Sequence, residues 1–170
     1  NVAYGGVSTL LGETLVNANL AIDDEADMAA ELVARRSIGS HDLISTTRAF
    51  SDGYDTVSGG DDTIGFFNSR LDLNGQLPLP IGYRPRYNAG LSFNNSNDGL
   101  QTTDVTLGLN TSYKNFTFND QLNYLTTNED TDDQLTNIAS VTGTFGKNRV
   151  RLRSNYDIKP ETKLRSVNAL

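Results

Sequence analysis

Three arginines occupy alternate positions at Arg149, Arg151 and Arg153, in the run RVRLRSN over 149–155. Alternate side chains of an extended chain share a face, so this spacing lines up guanidinium groups along one side of a strand. There they would favour anions or grip an acidic partner. Arg70, Arg84 and Arg86 fall on the corresponding side of earlier segments, and Lys163 and Arg165 follow Pro160. The competing reading is a merely polar wall, with Arg70 neutralised by Asp72 two residues along.

Other chemistry-bearing residues point less far. The single histidine, His41, lies between Ser40 and Asp42. Adjacent side chains of an extended chain point to opposite faces, so these three cannot form a triad by themselves. No enzyme activity and no catalytic residue are therefore expected. The acidic runs DDEAD (23–27) and NEDTDD (128–133) offer oxygen ligands for a hard cation but lack the glycine and terminal glutamate of a twelve-residue calcium loop. They read as solvated loops. SGGDD (58–62) lacks the Lys-Ser/Thr that closes a phosphate-binding loop. Neither a metal nor a cofactor is expected.

Composition narrows the classes further. Cysteine is absent, which removes disulfides, thiolate zinc and iron–sulfur clusters. A net charge of −7 argues against general nucleic-acid binding. Only 36% of the 170 residues are hydrophobic, and no apolar run approaches the roughly 20 residues a membrane-crossing helix needs. The mean hydropathy of −0.42 says nothing against a membrane barrel, whose strands alternate apolar and polar side chains and so average to a polar score.

The elements that would hold the arginines have a period of two. Ile81, Tyr83, Pro85, Tyr87, Ala89, Leu91 and Phe93 alternate with Gly82, Arg84, Arg86, Asn88, Gly90, Ser92 and Asn94. Val105, Leu107 and Leu109 alternate with Asp104, Thr106, Gly108 and Asn110. Phe116, Phe118, Asp120, Leu122 and Tyr124 alternate with Thr117, Asn119, Gln121 and Asn123, with Asp120 as the one flaw on an apolar side. Val150, Leu152, Ser154 and Tyr156 lie opposite the arginine run. The pattern predicts strands with one oily and one wet face. The segments Gln101–Tyr113, Phe116–Thr127, Gln134–Phe145 and Thr63–Leu77 are long enough to cross a bilayer at a tilt, which takes roughly 9–11 residues. Before Thr63 the alternation weakens. Residues 23–36 combine good helix formers with leading acids, and strand is favoured there over a short helix.

Connections of two kinds separate these strands. Short turns fall near Ser37–His41, Pro78–Ile81, Lys114–Asn115 and Gly146–Asn148; longer polar loops fall near Asp23–Asp27, Asp52–Asp62, Asn95–Gln101 and Asn128–Asp133. They alternate through about nine strands, as in a barrel with short periplasmic turns and longer external loops. Acidic residues gather in the long loops, and Arg35, Arg36, Arg84, Arg86, Lys114, Lys147 and Arg149 gather at the short turns. Tyr83, Tyr113, Phe116 and Phe145 near the turns, and Phe93 and Tyr124 near the loops, are placed as two aromatic girdles would be. The connection 157–162 belongs by parity with the long loops yet is short.

Through segments such as RLDLNG (70–75), VTLGLN (105–110) and RVRLRSN (149–155) the chain resembles Gram-negative outer-membrane barrels as a class, over most of its length. That class includes porins, fimbrial ushers, polysaccharide export channels and the porin sheaths of multihaem electron conduits, and these generic segments single out none of them. The resemblance implies an all-β, antiparallel up-and-down transmembrane barrel in a bacterial outer membrane, of about ten strands here. The chain begins Asn-Val-Ala-Tyr without an initiator Met and closes on Leu170 rather than an aromatic residue, and it is expected to be part of a larger barrel. It is expected to be one barrel region over 1–170, with less certain strands in 1–62 and a clear hairpin meander in 63–170. Arg70, Arg84, Arg86, Arg149, Arg151 and Arg153 would line the lumen. Tyr87, Leu91, Leu107, Leu109, Phe118, Leu122 and Leu152 would face lipid. The expected function is a pore or translocation-channel wall; a barrel anchoring a surface adhesin or secreted passenger is the second reading, and a soluble β-sandwich or β-solenoid the third. Outer-membrane lipid is the expected partner, together with a periplasmic or plug partner in the lumen.

Overall fold

The sequence period of two becomes a single antiparallel sheet. The computed structural model describes residues 2–51, 67–79, 84–96, 99–128, 133–159 and 163–169. Eleven strands follow one another in chain order: β1 (Val2–Leu11), β2 (Thr14–Asp23), β3 (Met28–Ile38), β4 (His41–Phe50), β5 (Phe67–Gln76), β6 (Arg86–Asn95), β7 (Gln101–Tyr113), β8 (Phe116–Thr127), β9 (Gln134–Phe145), β10 (Asn148–Lys159) and β11 (Lys163–Ala169). Each pairs with the strand before and after it. This is the up-and-down meander that the sequence predicts. Among the described residues β1 and β11 do not meet, so the sheet is open and fits part of a barrel.

Turn chemistry sets the register at one end. Gly12, Gly39 and Gly146 have φ of 63°, 61° and 62°, and Lys114 has φ of 52°. Each opens a tight turn between consecutive strands, and positive φ at that position matches the right-handed twist of the strands it joins. Glycine adopts it freely, whereas Lys114 does so as a non-glycine residue. The β5–β6 connection falls at this end too, and the connections after β2, β4, β6, β8 and β10 fall at the opposite end. The expected long loop 52–62 lies outside the described residues, as does most of 128–133.

Because directly opposite residues of an antiparallel pair share a face, the register sorts the whole sheet into two surfaces. One carries Val16, Ala18 and Leu20 of β2, Leu32 of β3, Leu71 and Leu73 of β5, Ala89 and Leu91 of β6, Val105 and Leu107 of β7, Leu122 of β8, Val141 of β9 and Leu152 of β10. The other is polar over most strands. No hydrophobic side chain among the described residues is buried, and Leu91, Leu107 and Leu152 stay 47%, 49% and 52% exposed. A soluble sandwich requires a second sheet to cover such a surface. Every described strand belongs to this one sheet, so the sandwich and solenoid readings are not met.

Residues 23–36 hold the end of β2, a turn and most of β3, in line with the strand reading favoured from the sequence. Two other expectations change in detail. The strand expected from Ile81 begins at Arg86: Pro85 has no N–H to donate to the ladder, although its carbonyl accepts from Leu77 N at 2.9 Å. Residues 80–83, with Tyr83, lie outside the described residues. The N-terminal segment, which shows no clear alternation, is nevertheless a ten-residue strand, β1.

Candidate functional site: the polar face and its arginines

On the polar face the charges fall into two arrangements. Across β2–β4, Asn19, Glu31 and Arg48 stand in one row. Arg48 Nε donates to Glu31 Oε2 at 2.7 Å and Asn19 Nδ2 to Glu31 Oε1 at 3.2 Å. On β5, Arg70 grips Asp72 with two parallel bonds, Nε to Oδ2 at 2.8 Å and Nη2 to Oδ1 at 2.9 Å. This is the pairing that the alternation of β5 suggests. Opposite Asp72 on β6 is Gly90, where a Cβ would come within 3.2 Å of Asp72 Oδ1. The absent side chain leaves room for the ion pair.

On β10 the arrangement differs. Arg149, Arg151 and Arg153 alternate along the strand, and their cross-strand partners on β9 are Thr144, Thr142 and Ser140. Among the described residues none of the three arginines forms an ion pair. Among the described residues Thr142 and Ser140 are the two buried polar ones, at 6% and 7% exposure. A polar row leads from this ladder back across the sheet: Arg153, Ser140, Asn119, Asn110 and Arg86 are successive partners, with Asn110 donating to Asn119. Arg84 precedes β6 and is exposed outside any strand. At the far end of β10, Arg165 of β11 pairs with Asp157, a contact hidden in the sequence because a register shift at Asn155/Tyr156 brings them together.

Clefts lie on the polar face of the described sheet. One of about 430 Å³ lies over β1–β3 and touches Asn19, Glu31 and Arg35. Another, of about 330 Å³, lies by the turns and touches Asp42, Asn74, Arg86 and Asn88.

The apolar face has its own fittings. Asp120, the flaw in the alternation, sits between Leu109 and Ala139, and its carboxylate accepts from Asn137 Nδ2 at 2.7 Å. Near the turns, Phe116 meets Phe145 edge-on at 5.7 Å and Phe118 at 6.4 Å, and the Lys114 ammonium lies 5.3 Å over the Tyr113 ring. At the loop end Phe67 and Phe93 lie 6.2 Å apart. Gly143 is covered by two of these rings: a Cβ there would stand 2.8 Å from Phe145 and 3.1 Å from Phe116.

His41 opens β4 on this apolar face, where its Nδ1 lies 2.7 Å from Tyr87 Oη. Ser40 Oγ donates to Gln76 O at 3.3 Å, and Asp42 accepts from Ser37 Oγ at 2.6 Å. The three neighbours serve three different contacts. The acidic turn after β2 is likewise engaged locally, Asp23 Oδ1 accepting from Glu25 N at 3.0 Å and Asp27 N at 2.9 Å. Outside the strands, Asp133 is held below the ordinary carboxylate range by the Thr126 hydroxyl, then by the Tyr124 hydroxyl and the Lys159 ammonium.

An open antiparallel meander with tight turns at one end, an exposed apolar belt and a charged opposite face is the architecture of an outer-membrane β-barrel. Comparison with solved structures agrees. An outer membrane protein of Vibrio cholerae, OmpT solved as a loop L8 deletion mutant, matches 98% of this chain with a TM-score of 0.50 at 15% identity. The chain spans 59% of that protein's length. Neither a protein-family model nor a curated protein sequence matches it. In fold the chain is an open, eleven-stranded antiparallel sheet that fits part of a β-barrel of the outer-membrane type. One expectation is corrected here. The exclusion of catalysis rested on one histidine of one sheet, whereas the barrel that this chain resembles extends well beyond such a sheet. A shared architecture at that identity does not support the exclusion, and it is withdrawn.

Proposed function

We propose that these strands form part of the wall of a water-filled pore in a bacterial outer membrane, with the apolar face against lipid and the polar face lining a path for solutes or exported chains. The observation that carries the reading is the segregation of the two faces that the register maintains from β5 to β10, with Asp120 as its main exception. An arginine facing hydrocarbon at the bilayer midplane costs about 2–4 kcal/mol, and β10 alone carries three on one side. That side belongs to water. Leu107, Leu109, Phe118, Leu122 and Leu152, with Tyr87 and Leu91, face acyl chains, and outer-membrane lipid is the partner along this belt. The aromatic clusters at the two ends of the strands are placed as interfacial girdles are. Arg70, Arg86, Arg149, Arg151 and Arg153 line the aqueous side, and Arg84 stands at its turn-side mouth.

Reconstitution in planar lipid bilayers tests this. An open pore gives discrete conductance steps that grow with salt concentration. A barrel that only anchors a surface domain, or one closed by a plug, gives a stable folded protein without steps, and that result would replace the pore with the anchor reading.

A further inference from the structure

We infer that the arginine ladder of β10 is a binding track for extended polyanions, solutes that carry phosphate, sulfate or carboxylate groups repeated along a chain. The inference rests on the pore reading for its place in transport but not for its chemistry. Along a strand, alternate residues are about 7 Å apart, so the three guanidinium groups of Arg149, Arg151 and Arg153 define a line of roughly 14 Å. It runs from the turn-side end of β10 to mid-strand. A single small anion engages one of them; a chain of linked oxyanions engages two neighbours at once, and all three when it is long enough to span the line.

Three features separate this line from a generally polar wall. The arginines of β4 and β5 are already bound to carboxylates, Arg48 to Glu31 and Arg70 to Asp72, so their charge is spent within the protein. Those of β10 have no carboxylate partner among the described residues, and β9 opposes them with Thr144, Thr142 and Ser140, which carry no charge to compete with a ligand. The nearby acid, Asp157, is taken up by Arg165. Arg35 and Arg86 of the same face, which also form no ion pair among the described residues, lie towards the turn side like Arg149 and extend the positive surface around that mouth. Guanidinium groups bind oxyanions through paired parallel hydrogen bonds, and hydroxyls beside them can donate to the remaining oxygens. Linking the anionic groups makes the second and third contacts intramolecular, so a chain binds far more tightly than its separate units.

The test is titration calorimetry of the intact protein in detergent micelles with sodium tripolyphosphate and, separately, with orthophosphate. The wild type should bind tripolyphosphate at least tenfold more tightly than orthophosphate. Replacing all three residues (Arg149→Gln, Arg151→Gln, Arg153→Gln) should reduce tripolyphosphate affinity at least tenfold and erase the difference between the two probes. The charge-neutral pair removal Arg70→Gln with Asp72→Asn should change the affinity less than twofold. No tripolyphosphate binding by the wild type, or equal binding by the wild type and the β10 variant, overturns the track. Retained native heat-modifiable mobility of the variant on gels shows that a lost affinity is not lost folding. Because this measurement needs no conductance, a protein that binds tripolyphosphate through β10 yet gives no current steps refutes the pore and keeps the track.

Discussion

Two stretches of the same polar wall handle arginine in opposite ways. Across β4 and β5 the two arginines of the polar face each have a carboxylate within bonding distance, Glu31 for Arg48 and Asp72 for Arg70, and Gly90 leaves space for the second pair. Along β10 three arginines stand beside hydroxyls with no acid between them. The first arrangement is internally neutral and shapes the wall. The second leaves positive charge uncompensated on the polar face, which costs little if that face lines the proposed water-filled lumen and would serve to hold a negative solute. Charge count alone does not reveal this, since the chain as a whole is acidic, at −7.

The sharpest way to break the comparison is to move the same charge by one residue. Leu152 lies between Arg151 and Arg153 but on the apolar face, and Leu152→Arg or Leu107→Arg should destabilise the protein in vesicles by about 2–4 kcal/mol. Asn110→Arg, on the polar face, should be tolerated. Urea unfolding from liposomes measures the difference, and equal costs on both faces would remove the basis for calling either stretch a water-lined wall.

A smaller effect separates the supports of the two stretches. Gly143→Ala, on β9 beside the ladder strand, drives a Cβ into the Phe116 and Phe145 rings and should cost about 1–2 kcal/mol through overpacking. Gly5→Ala, where a Cβ meets open space, should be neutral or slightly stabilising, because alanine narrows the unfolded ensemble. Smaller again is the coupling inside the pairs. A double-mutant cycle on Glu31 and Arg48 should return about 0.5 kcal/mol, as partly exposed pairs do. The same cycle on Arg153 and Ser140 should return a value near zero; a coupling there equal to that of the ion pair would show that the ladder, too, is neutralised within the protein.

The smallest effect lies outside the wall. Asp133 has a lowered pKa because hydroxyls and Lys159 favour its charged form. The stability it contributes is present above the unfolded value of 3.8 and is lost as pH falls through the lower folded value. Asp133→Asn should therefore flatten the acid limb of the stability curve slightly and leave neutral pH nearly unchanged.

Much of this was legible in the sequence where a strand has unlike faces and firm ends. β7, β8 and β9 run from Gln101, Phe116 and Gln134 to Tyr113, Thr127 and Phe145, the bounds that their alternation and the turns at Lys114 and Gly146 predict. β1 was not legible as a strand because Tyr4 and Leu10 are apolar on one side while Val7 and Leu11 are apolar on the other, so the period disappears. The shared face of the β10 arginines and the Arg70–Asp72 pair followed from spacing alone. The Glu31–Arg48 pair did not, because its register depends on whether residues 23–36 are strand or helix, and the Arg165–Asp157 pair depends on a bulge that no spacing rule anticipates. Asp120 was visible as an anomaly, but its Asn137 partner comes from the next strand.

The absence of native cysteine permits one decisive measurement. Single cysteines placed at Leu107 and Thr106, adjacent on β7 and on opposite faces, can be labelled with bimane in bilayers containing acyl-chain nitroxide lipids. Strong quenching at position 107 and weak quenching at 106 is the expected result. Equal quenching at the two positions, or the reverse order, would contradict the assignment of the apolar face to hydrocarbon and the polar face to water.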